Sequence, residues 1–201
     1  MNVKWIREKH PEWYQDIAVM RYLILGSFPP HLSKHQYPFY YPNTRNRFWK
    51  ILARLAGKEL TWKKGMDTKI AVEERYKIMK KLSAGVQNLG LEIERKGKSA
   101  LDTSIRIVKF QDILSILNVH TELERILLPG FSAPDSTARS FCRYLSEHAL
   151  GNCLPKRIQP QSTFDLQLNN RLIQCVVLNS TSPASRVNDD ALLEQFRKYL
   201  H

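Results

Sequence analysis

Residues 22–30 read YLILGSFPP, a short apolar run that ends at a glycine and opens into a proline-rich loop. A continuously apolar run of this length is typical of a strand that is buried on both faces. The loop extends over residues 26–44, whose prolines and turn formers argue against regular structure. A helix is then predicted over Asn46–Leu55, because its apolar residues recur at helical spacing. The pattern is therefore strand, loop and helix.

Further short apolar runs alternate with helical patterns along the rest of the chain. This alternation predicts an α/β layered domain around a mostly parallel sheet. Ligands bind such sheets at the carboxyl ends of the strands, so the loops at 26–44 and 179–188 are expected to meet there. The other predicted strands cover 86–93, Arg125–Leu128 and Leu172–Leu178, and the other predicted helices cover 3–18 (with Trp5, Ile6, Trp13 and Ile17 inward), 70–84, 134–149 and about 189–200, with one more around Ile113, Ile116 and Leu117 after a loop at 99–105.

Length and charge restrict the kind of protein this is. At 201 residues with 43% hydrophobic content, a single folded domain over 1–201 is expected. No apolar run approaches the roughly 18 residues of a membrane span, and residues 1–16 lack the apolar core of a signal peptide, so a cytoplasmic location is expected. The net charge of +12 favours a polyanionic partner, of which nucleic acid is the commonest. A basic protein with no such partner is the alternative.

The first loop and the start of the next helix combine aromatic rings, amides and positive charge. Rings interleaved with cations suit stacked bases and phosphates, and carboxamides can both donate and accept hydrogen bonds. The tyrosines could instead form the wall or the core of the domain, and the sequence leaves both possibilities open. The residues concerned are Tyr40, Tyr41, Asn43, Arg45, Asn46 and Arg47.

The second loop, residues 179–186, reads NSTSPASR and is small, polar and stiffened by proline. Its N–H groups and hydroxyls could approach a phosphate backbone closely. Serine and threonine are also normal where a strand leads into a helix, as helix caps. The loop is therefore compatible with either role.

Asp102 is the carboxylate in the segment SALDTSI, residues 99–105. It could act as a general base, but an Asp in such a turn more often caps the next helix, and capping is the preferred interpretation. The six histidines form no ligand pattern, so no metal is predicted, and no cofactor is expected.

Four segments occur in an order and spacing that resemble the uracil-DNA glycosylase superfamily, and most closely its hypoxanthine-DNA glycosylase-like branch. They are LILGSFPP, YYPNTRNRFWKIL, SALDTSI and VVLNSTSPAS, and the resemblance covers residues 22 to about 195. It implies a three-layer α/β/α sandwich around a central four-stranded, mostly parallel sheet. It also implies that a deaminated base, uracil or hypoxanthine, is flipped out of DNA and that its N-glycosidic bond is hydrolysed.

The resemblance also implies roles for individual residues. Asn46, in the segment NRFW, and Ser27 would be catalytic. Damaged DNA would be the partner, no membrane would be involved, and the protein would act as a monomer. The implied base-binding residues are Gly26, Phe28, Tyr40, Tyr41 and Asn43, and the implied DNA-binding residues are Arg45, Arg47, Ser180, Thr181, Ser182 and Arg186.

Two departures from the superfamily pattern favour an alternative function. Phe28 stands where most members have an Asp or Asn that positions water, and Leu178 stands where a His or Asn often contacts the base. The alternative is a catalytically inactive, DNA-binding member of the same fold. A small-molecule hydrolase is a third possibility, which the charge of +12 disfavours.

Overall fold

The computed structural model describes residues 4–99, 101–155 and 157–200, and it has mixed α/β architecture. No helix within these ranges is both long and apolar enough to cross a membrane. The described strands are β1 (Trp5–Lys9), β2 (Tyr22–Gly26), β3 (Ala84–Asn88), β4 (Gly90–Lys96), β5 (Ile105–Phe110), β6 (Arg125–Pro129), β7 (Thr163–Leu168) and β8 (Arg171–Leu178), and the described α-helices are α1 (Phe48–Leu55), α2 (Thr68–Leu82), α3 (Ile113–Val119), α4 (Thr137–Glu147) and α5 (Asp189–Tyr199).

The larger sheet has five strands in the order β3-β2-β6-β8-β7. The first four are parallel to one another, and β7 pairs antiparallel with β8 at the edge. The prediction of a mostly parallel α/β sheet is therefore confirmed, with one strand more than expected. The additional strand, β7, alternates buried and exposed residues, as expected where one face of an edge strand is covered.

A second, antiparallel sheet has the order β1-β4-β5 and corrects two predictions. The helix predicted over residues 3–18 is wrong, because β1 pairs with β4 along its whole length. Trp5 and Ile6 are about half exposed on that strand, whereas Trp13 and Ile17 do lie in the core. The strand predicted over 86–93 is two strands, since β3 joins the large sheet and β4 the small one.

The core is centred on β2, the strand predicted from the apolar run. All five of its residues are buried. Because consecutive side chains of a strand point to opposite faces, both faces of the sheet are covered there. Helices α1 and α5 pack together, with the rings of Phe48 and Phe196 in an edge-to-face contact at 6.4 Å.

The carboxyl edge of the large sheet brings distant loops together. Strands β2, β3, β6 and β8 all end there, and the N–H of Gly130 donates to the carbonyl of Leu178 at 2.9 Å. The N–H of Arg47, the N-cap of α1 just after the first loop, donates to the carbonyl of Thr181 at 3.1 Å. Residues of both loops line one cavity, among them Asn43 and Ser180. The predicted meeting of these two loops is therefore observed.

Candidate functional site

A cavity of about 630 Å³ opens at this carboxyl edge, between the loops that follow β2, β6 and β8. The turn before β5 and the last residue of β3 complete its wall. Most of the residues proposed from the sequence lie here. They are Gly26, Ser27, Phe28, Tyr41, Asn43, Arg45, Asn46, Ser180, Thr181 and Ser182.

Asp102 and Ser27 form a hydrogen-bonded pair in the cavity. Ser27 Oγ donates to Asp102 Oδ1 at 2.6 Å, which joins residues 75 positions apart. Burial raises the pKa of the Asp102 carboxyl, and the hydrogen bond from Ser27 opposes that shift. Asp102 begins a single 3₁₀ turn whose N-cap is Leu101, and no side chain caps that turn. The preferred capping role is therefore not the one that the structure gives Asp102, which lines the cavity instead.

Tyr41 is held in a strained conformation beside this pair. Its φ of 48° lies in the left-handed region, which is unusual for an aromatic residue. Its ring stacks on Phe48 with the centroids 3.8 Å apart, and Tyr37 Oη donates to its carbonyl at 2.6 Å. These two contacts hold the backbone in place and direct the ring to the cavity wall.

Asn88, the last residue of β3, is a site residue that sequence reasoning missed. It lies opposite Gly26 in the parallel pairing of β2 with β3 and is only 4% exposed. Its Nδ2 lies 2.9 Å from His10 Nε2, and its Oδ1 lies over Gly26, where an added Cβ would be 2.2 Å away. The same Cβ would be 3.2 Å from Tyr41 Oη. Gly26 therefore leaves room for two polar atoms, Asn88 Oδ1 and Tyr41 Oη. The sequence feature that could have identified Asn88 is an asparagine at the end of a buried strand.

Asn43 and Asn46 each use their side-chain oxygen locally. Asn46 Oδ1 accepts from the N–H of Phe48 at 2.9 Å, which stabilises the start of α1. Asn43 Oδ1 accepts from the N–H of Arg45 at 2.9 Å. The nitrogen of the Asn46 amide has no hydrogen-bond partner within the described ranges and can act on a ligand.

Arg47 stabilises the second loop rather than the cavity rim. Its guanidinium donates to the carbonyls of Ser182 at 2.9 Å and Ser185 at 3.3 Å, and also to the carbonyl of Val187. It forms an ion pair with Asp189 at 3.1 Å, and its side chain is 14% exposed. These contacts occupy the guanidinium, so Arg47 is placed to shape the loop that carries the serines.

Tyr40 and Arg186 also lie outside the cavity wall. Tyr40 is fully buried, its Oη donates to Gln87 Oε1 at 2.8 Å, and Trp49 Nε1 donates to its carbonyl at 2.7 Å. It is therefore a core residue, as one of the two interpretations allowed. Arg186 is exposed on the second loop.

The second loop is organised by its own hydroxyls. Ser180 Oγ accepts from the N–H of Ser182 at 3.2 Å, and Ser182 Oγ accepts from the N–H of Ala184 at 3.3 Å. Thr181 is almost completely buried. These short turns direct the segment along the cavity rim.

The N-terminus of α4 faces the cavity and was also missed. Ser136 precedes α4 and lines the cavity; the residue is 1% exposed, and its buried hydroxyl has no hydrogen-bond partner within the described ranges. Gly130, at the start of the loop between β6 and α4, has a φ of 107°, a conformation that glycine adopts without steric cost. The N–H of Ala138, in the first turn of α4, donates to the carbonyl of Gly130 at 3.0 Å, and the positive end of the α4 dipole favours an anion beside it. The exposed side chains of Lys34 and Arg45 add positive charge at the rim.

Within the described ranges, no three His, Cys, Asp or Glu side chains are grouped as a metal site requires. Comparison of the chain with models of known protein families gives no match, and comparison with curated proteins gives none. The cavity and its residues therefore carry the functional proposal.

Proposed function

We propose that the protein is a DNA glycosylase that hydrolyses the N-glycosidic bond of a deaminated base, uracil or hypoxanthine, flipped out of DNA. The observation that carries the proposal is the cavity itself. It combines the Asp102 carboxylate, the carboxamides of Asn46 and Asn88 and the ring of Tyr41, in a chain whose net charge is +12. A flipped base needs a pocket with a stacking surface and hydrogen-bonding groups for its edge.

The polar atoms over Gly26 suit the edge of a deaminated base. Asn88 lines the cavity, and its Oδ1, an acceptor, lies over Gly26 of the same wall. Uracil and hypoxanthine carry a ring N–H next to a carbonyl, whereas cytosine and adenine carry a lone pair at the same ring nitrogen. An acceptor at this position therefore favours the deaminated base, because the normal base would leave Asn88 Oδ1 unpaired.

Bond cleavage passes through a sugar with positive charge and a departing base with negative charge. In this proposal Asp102 activates a water or stabilises the charged sugar, and the hydrogen bond from Ser27 fixes the orientation of its carboxylate. The Asn46 amide nitrogen donates to the water or to the base. The N–H groups near Gly26–Phe28 stabilise the charge that develops on the base.

DNA is held along the cavity rim. The hydroxyls of Ser180 and Ser182 and the N-terminus of α4 suit phosphate oxygens, with Arg45 and Arg186 as cations. Thr181, which is buried, and Arg47, which binds the loop carbonyls, stabilise the second loop rather than contact DNA. In the three-layer fold that belongs to this proposal, the four central strands are β3, β2, β6 and β8, and β7 extends the edge. The protein acts on DNA as a monomer.

The second candidate is a DNA-binding protein of the same fold without catalysis. It is favoured by Phe28, which cannot position a water, and by Asn46, whose oxygen is occupied at the start of α1. Both candidates predict binding to DNA, and they differ only in excision.

The test is an excision assay on labelled duplexes that contain one uracil, one hypoxanthine or neither, followed by alkaline cleavage. The glycosylase proposal predicts strand cleavage at one or both of the deaminated bases. The dependence of log affinity on log salt is measured in parallel. Each phosphate contacted contributes about −0.9 to its slope. A steep slope without excision supports the inactive binder, and a flat slope contradicts both candidates.

A further inference from the structure

His10 lies behind Asn88, outside the cavity wall, and is enclosed by aromatic rings. The centroids of Trp13, Phe28 and Tyr40 lie 5.6, 5.5 and 6.0 Å from its own. The side chain is 4% exposed. This burial lowers the pKa of His10 to about 4, so the imidazole is neutral at neutral pH.

The hydrogen bonds of His10 determine which of its nitrogens carries the proton. Nδ1 contacts the carbonyl of Pro11, which can only accept, so Nδ1 must be the donor. In the neutral ring, Nε2 is then an acceptor. The group 2.9 Å from Nε2 must therefore be the Asn88 Nδ2, which donates. A rotated Asn88 amide would place two acceptors against each other in a buried site, which is costly.

We propose that His10 is a positioning residue that fixes the Asn88 amide with its oxygen toward the cavity. The inference rests on the proposed function, because it explains how the acceptor for the ring N–H of a deaminated base is kept in place. Without the His10 acceptor, the Asn88 amide can rotate and present its nitrogen as a donor. That rotated amide pairs with the ring lone pair of cytosine or adenine.

The first experiment determines the tautomer directly and does not depend on activity. Long-range proton–nitrogen correlation spectra of the imidazoles, with His10→Phe used for assignment, report which ring nitrogen carries hydrogen. We expect His10 to be protonated at Nδ1 and unprotonated at Nε2 at neutral pH. A proton on Nε2 would overturn the inference, because the Asn88 oxygen would then face His10.

The second experiment measures base discrimination with wild type, His10→Phe and the matched control His35→Phe. Phenylalanine preserves the ring packing and removes the acceptor. His35 also contacts Trp13, at 5.2 Å, and its Nε2 lies 2.8 Å from the Pro30 carbonyl rather than near Asn88. We expect His10→Phe to reduce the ratio of kcat/KM for uracil over cytosine, or hypoxanthine over adenine, by at least about tenfold. His35→Phe should leave the ratio unchanged. A ratio that His10→Phe does not alter, at retained folding, would refute the positioning role while excision itself stands.

If wild type excises neither base, the proposed function fails and the inference is tested by binding. Free uracil, hypoxanthine, cytosine and adenine are titrated against the protein, and the side-chain amide resonances of Asn88 are followed. We expect the deaminated bases to shift these resonances at lower concentration than the normal bases, and His10→Phe to remove the difference. Equal titrations of all four bases with wild type would overturn the inference.

Discussion

Acidification should destabilise this protein through His10, and the size of the effect follows from its burial. The pKa of His10 is about 4 in the folded protein, against 6.5 when the side chain is solvated. Between these values the unfolded chain binds a proton that the folded protein does not. Stability is therefore complete above pH 6.5 and decreases as the pH falls toward 4. One pKa unit corresponds to about 1.4 kcal/mol, so the full loss is roughly 3 kcal/mol, of which about 2 kcal/mol is lost by about pH 5.

The assay is urea unfolding of wild type and His10→Phe at about pH 7.5 and about pH 5. Wild type should lose about 2 kcal/mol more than the variant over this interval. Other titrating groups, including His35, whose pKa is also lowered by burial, are present in both proteins and largely cancel in the difference. Equal losses in the two proteins would refute the claim that His10 is buried and neutral.

Three further predictions concern the cavity and its rim. In Gly26→Ala the new Cβ would lie 2.2 Å from Asn88 Oδ1, so the Asn88 amide must move. We expect this variant to lose base excision and its free energy of unfolding to fall by about 1–3 kcal/mol. Unchanged excision would contradict the proposed pocket. Arg45→Ala should reduce the salt slope of DNA binding by about 0.9. Arg47→Ala should instead lower the free energy of urea unfolding by about 2 kcal/mol or more. The reverse pattern would show that the two arginines have each other's role. Because burial raises the pKa of Asp102, the excision rate should increase with pH, with a midpoint above the pKa of a solvated Asp. If Asp102→Asn shows the same pH–rate profile as wild type, Asp102 is not the group that titrates.

The elements that the sequence predicted well are those whose own residues determine their environment. Strand β2 is continuously apolar and is buried on both faces, and α1 and α5 have regular apolar spacing. Strand β1 was predicted as a helix because its mixture of Trp, Ile and charged residues has no strand pattern of its own. It is a strand because β4 pairs with it, and that partner lies more than eighty residues away.

The site shows the same division between local and long-range information. The sequence located the loops, because strands of a parallel sheet end at a common edge, but it could not separate Arg45 from Arg47. Arg45 lines the cavity rim, whereas the Arg47 guanidinium donates to carbonyls of the second loop. Those carbonyls are in place only once the second loop has folded. Asn88 gains its role from the register that places it opposite Gly26, and Asp102 from a serine 75 residues away.

The most direct test of the proposed active site is the single-turnover excision rate of wild type, Asp102→Asn and the control Asp165→Asn on a duplex containing uracil or hypoxanthine. Asp165 is an exposed residue on β7 that does not line the cavity. We expect excision by wild type, a rate about 10²–10³-fold lower for Asp102→Asn, and no change for Asp165→Asn. Excision that survives Asp102→Asn at the wild-type rate, or no excision by wild type, would contradict the assignment of this cavity as the site of base removal.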